Sequence, residues 1–323
     1  MTTIRRKDAD LPNDLGPSTT QTHSLMTAPG LMGTSLANMN SMSRRTALSV
    51  IAGPLAPHSD ALTLIGGQAV MLRTTDRYEL KTTTEDADFA ITPHLVTNDP
   101  NIETALTQAG FVLRHPDRPG LWGRNPRIDP LTQVTAYDDE VDIDCPMALS
   151  GAISRKRRSV PALFHHGKRT VGTGDGLELA TANRSLIDVP DLLDPGRSVR
   201  MWVADQPALI CAKSFKLAER MYGTGRGILL KDYLDLFLLM DSADQDEVGQ
   251  VFTANSQDPV IGESVRRGVA HFMRLVGDPT VRERVSQGAG GRIPSGELDH
   301  MLGGWAHFMC TITSDWRNKN GVT

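Results

Sequence analysis

One stretch constrains this chain more than any other, Leu62 to Ile91, which reads LTLIGGQAVMLRTTDRYELKTTTEDADFAI. An apolar run (Leu62, Leu64, Ile65) enters Gly66-Gly67, a short amphipathic segment covers Gln68 to Arg73, and a polar connection ends in Asp86-Ala87-Asp88-Phe89-Ala90-Ile91. This order predicts a strand, a helix opened by two glycines, and a second strand that begins with two acidic residues. Alternation along a strand puts Asp86 and Asp88 on one face.

Those residue types in that order carry chemistry. Two glycines that open a helix present bare backbone N–H groups at its N-terminus, a corner suited to phosphate. Paired carboxylates on one face are hard oxygen ligands, and Mg²⁺ is usually held by one or two carboxylates plus substrate phosphates. A phosphate corner beside such a pair describes a nucleotide-handling site.

The remaining composition sets bounds. With 323 residues there is room for two domains and a tail. A hydrophobic share of 39% with 29 glycines is that of an ordinary soluble globular protein. Nothing approaches 18 consecutive apolar residues, so no membrane span is expected. The cysteines (Cys145, Cys211, Cys310) lie far apart and form neither a disulfide framework nor a zinc spacing, which fits a reducing cytosol. The nine histidines show no HxxxH or HxH pairing. A net charge of −4 gives no overall pull toward nucleic acid, so an RNA partner needs a local basic patch.

Residues 1–44, rich in Ser, Thr, Asn, Met, Pro and Gly, read as a disordered tail. Ser43-Arg44-Arg45-Thr46-Ala47-Leu48 superficially resembles a twin-arginine export signal, but its apolar run breaks at Gly53-Pro54. A helix from Thr46 to Ala52 packed on the first domain is expected instead. Asp99-Pro100 predicts a helix start, Gly110 its end, Phe111 to Arg114 a strand, and residues 115–130 a loop. Glu140-Val141-Asp142-Ile143-Asp144-Cys145 predicts a strand whose acidic residues share a face. It offers Asp142, or else Asp144, as a third carboxylate for a two-metal site. Arg155-Lys156-Arg157-Arg158, with Lys168 and Arg169, is the basic run that RNA phosphates would meet, or else a solvated loop. Gly172 to Gly176 reads as a turn, and Leu186 to Pro195 as an irregular domain junction.

Val199 to Val203 reads as a last strand, and Asp205-Gln206-Pro207 then opens a helix to about Tyr222. Its Lys213, Lys216 and Arg220 fall on one stripe. The next helix, from Lys231 to Met240, carries Asp232 and Asp235 among leucines, and two carboxylates in so apolar a segment need cationic partners or a site edge. The basic stripe is the natural partner, whether as a structural network or as part of a site. Asp258-Pro259 predicts another helix start, residues 286–296 a Gly-rich loop, and Leu298 to Thr311 a closing helix.

Four pieces taken together resemble the AbiEii-type nucleotidyltransferase toxins of type IV toxin–antitoxin and abortive-infection systems, within the DNA polymerase beta-like superfamily. They are LIGGQAV, the Thr84-x-Asp86-x-Asp88 motif, the strand VDID, and Lys213, Lys216, Arg220 followed by Lys231-Asp232-Tyr233-Leu234-Asp235-Leu236. The gap between Gly67 and Asp86 is long for the pattern, Lys81 is displaced, and Lys216 stands where a small residue is expected. The resemblance implies an α/β (α+β) nucleotidyltransferase domain with a small mixed sheet over residues 45–195. A mostly helical domain would follow over 196–323. It also implies transfer of NMP from an NTP to an acceptor, the 3′ end of tRNA in similar toxins, with a cognate antitoxin as a possible partner. Asp86, Asp88 and Asp142 (with Asp144 as the alternative) would hold Mg²⁺, in all two ions. Gly66, Gly67, Gln68, Lys81, Thr84, Lys213 and Arg220 would bind the nucleotide, and Lys213 and Asp232 would join the catalytic carboxylates. Rival readings are NMP transfer to a protein hydroxyl, phosphotransfer, and an inactive binding module of the same fold.

Overall fold

The computed structural model describes residues 44–45, 47–80, 82–84, 86–114, 119–124, 143–150 (as backbone), 161–167, 169–194, 196–223 and 229–320. The tail expected over residues 1–44 lies outside them, apart from Arg44, which is buried. Residues 44–45 and 47–52 are helical, and Ala47, Leu48, Val50 and Ile51 enter the common core. Arg44, Arg45, Ala47 and Leu48 of the segment that resembles an export signal are thus part of the fold.

One mixed sheet is built from β1 (Leu62–Leu64), β2 (Phe89–Ile91), β3 (Phe111–Leu113), β4 (Leu121–Arg124), β5 (Ile143–Ser150), β6 (Gly172–Gly174), β7 (Arg184–Pro190) and β8 (Ser198–Ala204). The strand order is β3-β4-β5-β2-β1-β8-β7, with β6 beside β5. β1 runs antiparallel to β2 and parallel to β8, and β2 runs parallel to β5. Every residue of β1 and β2 is buried, as apolar strands at a sheet centre must be. The chain crosses from β1 to β2 through the Gly-Gly helix, which is what brings the two ends of the key stretch together.

The helices are α1 (Gly66–Arg73), α2 (Ile102–Gln108), α3 (Glu178–Ala182), α4 (Gln206–Tyr222), α5 (Leu230–Ser242), α6 (Gln245–Asn255), α7 (Gly262–Val276), α8 (Pro279–Ala289) and α9 (Ser295–Asn320). α4 lies against α5 and α7, α5 against α8, and α9 against α7. Trp305 of α9 anchors this half: its ring meets Phe272 edge-on at 5.4 Å and its Nε1 donates to the Met240 carbonyl at 3.1 Å. α1 packs on both α4 and α5, so the helical half reaches the Gly-Gly corner.

Several expectations shift. Asn101, not Asp99, caps α2, accepting from the Thr104 N–H at 2.9 Å. The expected loop at 115–130 contains β4, and the expected turn at Gly172 opens with β6. The segment read as irregular from Leu186 is mostly β7, which is paired along its length with β8. The change from sheet to helix therefore comes at Asp205 rather than at residue 195. Asp205 is the N-cap residue of α4 but makes no side-chain cap, because its carboxylate takes the Ser185 hydroxyl and Arg73 instead, both at 2.8 Å. Asp258 caps a turn through Val260 and Ile261, and α7 begins only at Gly262. The expected Gly-rich loop is shorter, since α8 runs to Ala289 before Gly290 ends it in the left-handed region.

Candidate active site

The Gly-Gly corner and the carboxylate pair are in direct contact. The Ile65 N–H donates to the Asp88 carbonyl at 2.9 Å, which holds the end of β1 against the start of the second strand. Gly66 has φ +70°, and a Cβ there would lie 1.9 Å from Asp88 Oδ2. A Cβ on Gly67 would lie 2.7 Å from the Thr84 Cβ. Both glycines are thus required, the first for its backbone angle and both for the close approach. Ile65 supplies no side-chain cap to α1, so the first N–H groups of the helix have no acceptor from that position. Thr84 is buried and donates its hydroxyl to Asp86 Oδ1 at 2.8 Å, fixing that carboxylate.

Asp88 is pushed up to about 7, first by burial and then by the Asp86 carboxylate, while Lys216, Lys213 and Lys231 pull the other way. Two close carboxylates that resist joint ionisation suit a divalent cation, whose charge removes the repulsion. Their oxygen donors fit Mg²⁺ chemistry. Among the described residues no cluster of three or more metal-ligating side chains occurs. Of the two candidates for a third carboxylate, only the alternative, Asp144, falls on β5. Asp142 lies outside the described residues, whereas Asp144 lies on β5 opposite Gly123 of β4. β2 and β5 pair at Phe89–Met147, and three residues back from that pair the chain reaches Asp86 on one side and Asp144 on the other. Asp144 therefore lies on the strand that neighbours β2.

α4 and α5 place a charge network beside the pair. Lys213 and Asp235 form an ion pair whose side chains are only 5% and 4% exposed. Burial works against the Lys213 ammonium, but Asp235 and Asp232 outweigh it and raise its pKa. Asp232 is fully buried, bound by Arg220 and approached by Lys216 at 3.3 Å. Burial favours its neutral form, yet Lys216, Lys213 and Arg220 together hold it below the usual carboxylate range. Asp235, not Asp232, is therefore the partner of Lys213, and Arg220 serves Asp232 rather than standing free for nucleotide. Lys231 donates to the Thr83 carbonyl at 3.3 Å, tying α5 to the segment that carries Thr84, Asp86 and Asp88.

Gln68, expected to meet nucleotide, is buried and accepts from Arg44 Nε at 3.2 Å, which leaves its backbone N–H as the useful group. The long connection between α1 and Thr84 is explained by docking. Arg77 pairs with Asp241 at 2.5 Å and Glu297 at 2.9 Å, and the Tyr78 hydroxyl donates to Glu297 at 2.7 Å. Lys81, Arg155, Lys156, Arg157, Arg158 and Lys168 lie outside the described residues, while Arg169 is exposed. Lys216, Lys231 and Asp235 take part in this network and were not among the expected site residues. Their helical spacing showed they were near it, but the choice of partner depends on how α4 and α5 are rotated.

Comparison with known proteins adds little. No protein-family model matches the chain, and no curated protein matches it. Among solved structures, the chain is similar to an antigenic nucleotidyltransferase-like protein from Paracoccidioides brasiliensis at 15% identity. That match has a TM-score of 0.38 and covers 71% of this chain and 94% of the other. It is also similar to JHP933 from Helicobacter pylori at 14% identity and TM-score 0.37, covering 87% and 97%. No helix among the described residues is long and apolar enough to cross a membrane.

Proposed function

We propose that this chain is a Mg²⁺-dependent nucleotidyltransferase that moves NMP from an NTP to an acceptor hydroxyl. The observation that carries the reading is the contact of Gly66 and Gly67 with Asp88 and Thr84, which joins a phosphate corner to a carboxylate pair. Asp86 and Asp88 would hold the metal, with Asp142, or Asp144 of β5, as the further ligand. When bound, Mg²⁺ supplies neutralisation of the triphosphate and of charge that builds in the transition state.

The chain's own groups have separable tasks. The N–H groups of Gly66, Gly67 and Gln68 bind the terminal phosphates. Lys213, fixed by Asp235, places a positive charge near Asp88. The acceptor oxygen forms a bond to the α-phosphorus, the bond to the bridging oxygen of the β-phosphate breaks, and pyrophosphate leaves. The acceptor's proton goes to that third carboxylate, Asp142 or Asp144, acting as general base.

The acceptor we propose is the 3′ end of tRNA, and the biological role that of a toxin in a toxin–antitoxin or abortive-infection system. Both rest on the sequence signature that ends in Lys231-Asp232-Tyr233-Leu234-Asp235. The test is transfer from each α-³²P NTP to total tRNA. Label on tRNA that falls roughly 1,000-fold in Asp86→Ala/Asp88→Ala is expected. Label on protein instead would replace the acceptor, and nucleotide binding without transfer would replace the enzyme with a binding module.

A further inference from the structure

A cavity of about 370 Å³ opens where the end of α4, the start of α5 and the start of α8 meet. Its volume is at the small end of the range of about 300–1,000 Å³ usual for ligand sites. Met221, Tyr222, Leu230 and Tyr233 form its apolar walls, and Asp278, Thr280 and Arg284 its polar side. Tyr222 is held at both ends: its hydroxyl donates to Asp278 Oδ2 at 2.6 Å, and the Arg274 guanidinium stands 3.3 Å from its ring centre. Tyr233 is only 2% exposed, and its hydroxyl makes no hydrogen bond among the described residues. A buried phenol normally finds a partner, and here the cavity it lines is where an occupant would supply one. Leu230 is both a wall of the cavity and 38% exposed, so it stands at the mouth.

The cavity is on the far side of these helices from the carboxylate pair. On α5, Leu230 and Tyr233 are three residues apart and share a face. Lys231 and Asp235, four apart, share another, which meets Thr83 and Lys213. On α4, Tyr222 lies nine residues beyond Lys213, about two and a half turns, and so half a turn round the helix from it. The chemistry of the lining selects an occupant. Asp278 and Arg284 carry opposite charges, so the cavity favours no net charge. Phenol rings and aliphatic walls accept flat apolar faces. Arg284 gives one N–H to Gln287 at 3.0 Å and has others to offer, and the Tyr233 hydroxyl can donate or accept. A flat neutral ring with apolar faces and a donor–acceptor edge is a nucleobase.

We propose that this cavity is a second binding site, for a nucleobase, separate from the corner that would take the triphosphate. The assignment goes beyond the transfer reading and stands without it. Two sources offer the same chemistry, an unpaired base of an RNA and a free nucleoside.

The experiment titrates adenosine, guanosine, cytidine and uridine into the full chain, since nucleosides lack the phosphates that Gly66 and Gly67 would bind. A parallel titration uses an RNA hairpin with an unpaired 3′ overhang, beside the same hairpin with a blunt end. Wild type is compared with Leu230→Trp, which fills the mouth from an exposed position, and with Tyr233→Phe, which removes one hydroxyl. Asp86→Ala/Asp88→Ala is the third variant, and thermal melting accompanies each. Expected is binding of a nucleoside, or preference for the overhang, weakened about tenfold or more by Leu230→Trp. Tyr233→Phe weakens it about threefold to tenfold, the loss of one hydrogen bond, and the carboxylate variant stays within about twofold of wild type. A response of the overhang hairpin assigns the base to RNA, and a response of nucleosides alone assigns it to a free nucleoside. Absence of both kinds of binding overturns the assignment and leaves the transfer reading standing. Binding that neither Leu230→Trp nor Tyr233→Phe changes overturns it too, because the base then sits elsewhere. Binding lost in the carboxylate variant also overturns it, because the base then belongs to the triphosphate corner.

Discussion

At the scale of single residues, Gly66 is the position where backbone and chemistry coincide. Its φ of +70° already disfavours any side chain, and a Cβ would enter the space of the Asp88 carboxylate. Gly66→Ala is therefore expected to cost roughly 1–3 kcal/mol in folding and to displace Asp88. Urea denaturation and Mg²⁺-dependent nucleotide binding would both show the change; a neutral outcome in both would remove the close approach from the account. The Lys213–Asp235 pair makes a second test. Asp235→Asn leaves a buried ammonium short of its charge partner and is expected to lower stability by about 3–5 kcal/mol. Lys213→Met/Asp235→Leu together should recover much of that loss while activity stays absent. A double variant no more stable than Asp235→Asn would mean that packing, not the unpaired charge, sets the cost.

At the scale of elements, the motif-bearing pieces were legible and the connecting strands were not. β1, α1 and the strand after Asp86-x-Asp88 follow from residues whose spacing leaves few alternatives, although β2 begins only at Phe89, so both carboxylates precede it instead of opening it. β6 is Gly172-Thr173-Gly174, a composition that reads as a turn and becomes a strand only because β5 offers its edge. β7 ends in Pro190 and carries an exposed Leu186, and its pairing with β8 was hidden for the same reason. Two short 3₁₀ turns, Ala56–Ala61 and Pro161–His166, escaped notice too, yet they bury a histidine pair. His58 donates Nε2–H to the Pro100 carbonyl at 2.7 Å, and its Nδ1 accepts from the Thr97 hydroxyl at 2.9 Å. His166 Nδ1 accepts from the Ile102 N–H at 3.1 Å, and the two rings meet edge-on at 5.4 Å.

Burial pushes both imidazoles below their usual range, and for His166 the neighbouring His58 adds to the shift. Both are neutral in the fold, so their contribution is complete above the unfolded imidazole pKa of about 6.5 and is lost as pH falls through the lowered folded values. Asp88, raised to about 7, works the other way, because the fold favours its protonated form as pH falls. The comparison must therefore hold Asp88 constant. Between about pH 7 and pH 5 the urea midpoint of wild type should fall more than that of His58→Gln/His166→Gln. Parallel curves would contradict a neutral buried pair.

At the scale of the whole molecule, the sheet and the helical region share one core that runs from Ala47 to Trp316. α1 lies on α4 and α5, Arg73 binds the end of β8, and the segment around Arg77 and Tyr78 docks on Asp241 and Glu297. These docking contacts of a polar connection leave no periodic signal in the sequence, which reads as two domains divided near residue 195. A single calorimetric unfolding transition is expected for the full chain, with equal calorimetric and van't Hoff enthalpies. Two separated transitions would favour independent domains. Of the site itself, Gly66, Gly67, Thr84, Asp86 and Asp88 could be read directly from the chain. The pairing of Lys213 with Asp235 could not, since Asp232 and Asp235 are equivalent until the helix rotation is known.

The central claim is that this arrangement transfers a nucleotidyl group. It is tested most directly by following the α- and γ-phosphates of the same nucleotide. The protein, Mg²⁺ and tRNA are incubated in parallel with α-³²P and γ-³²P NTP, beside Asp86→Ala/Asp88→Ala. The account predicts α-label on the acceptor, γ-label in released pyrophosphate, and neither with the double variant. γ-Label on the acceptor would make the reaction a phosphotransfer, and absence of acceptor label from both nucleotides would contradict the account altogether.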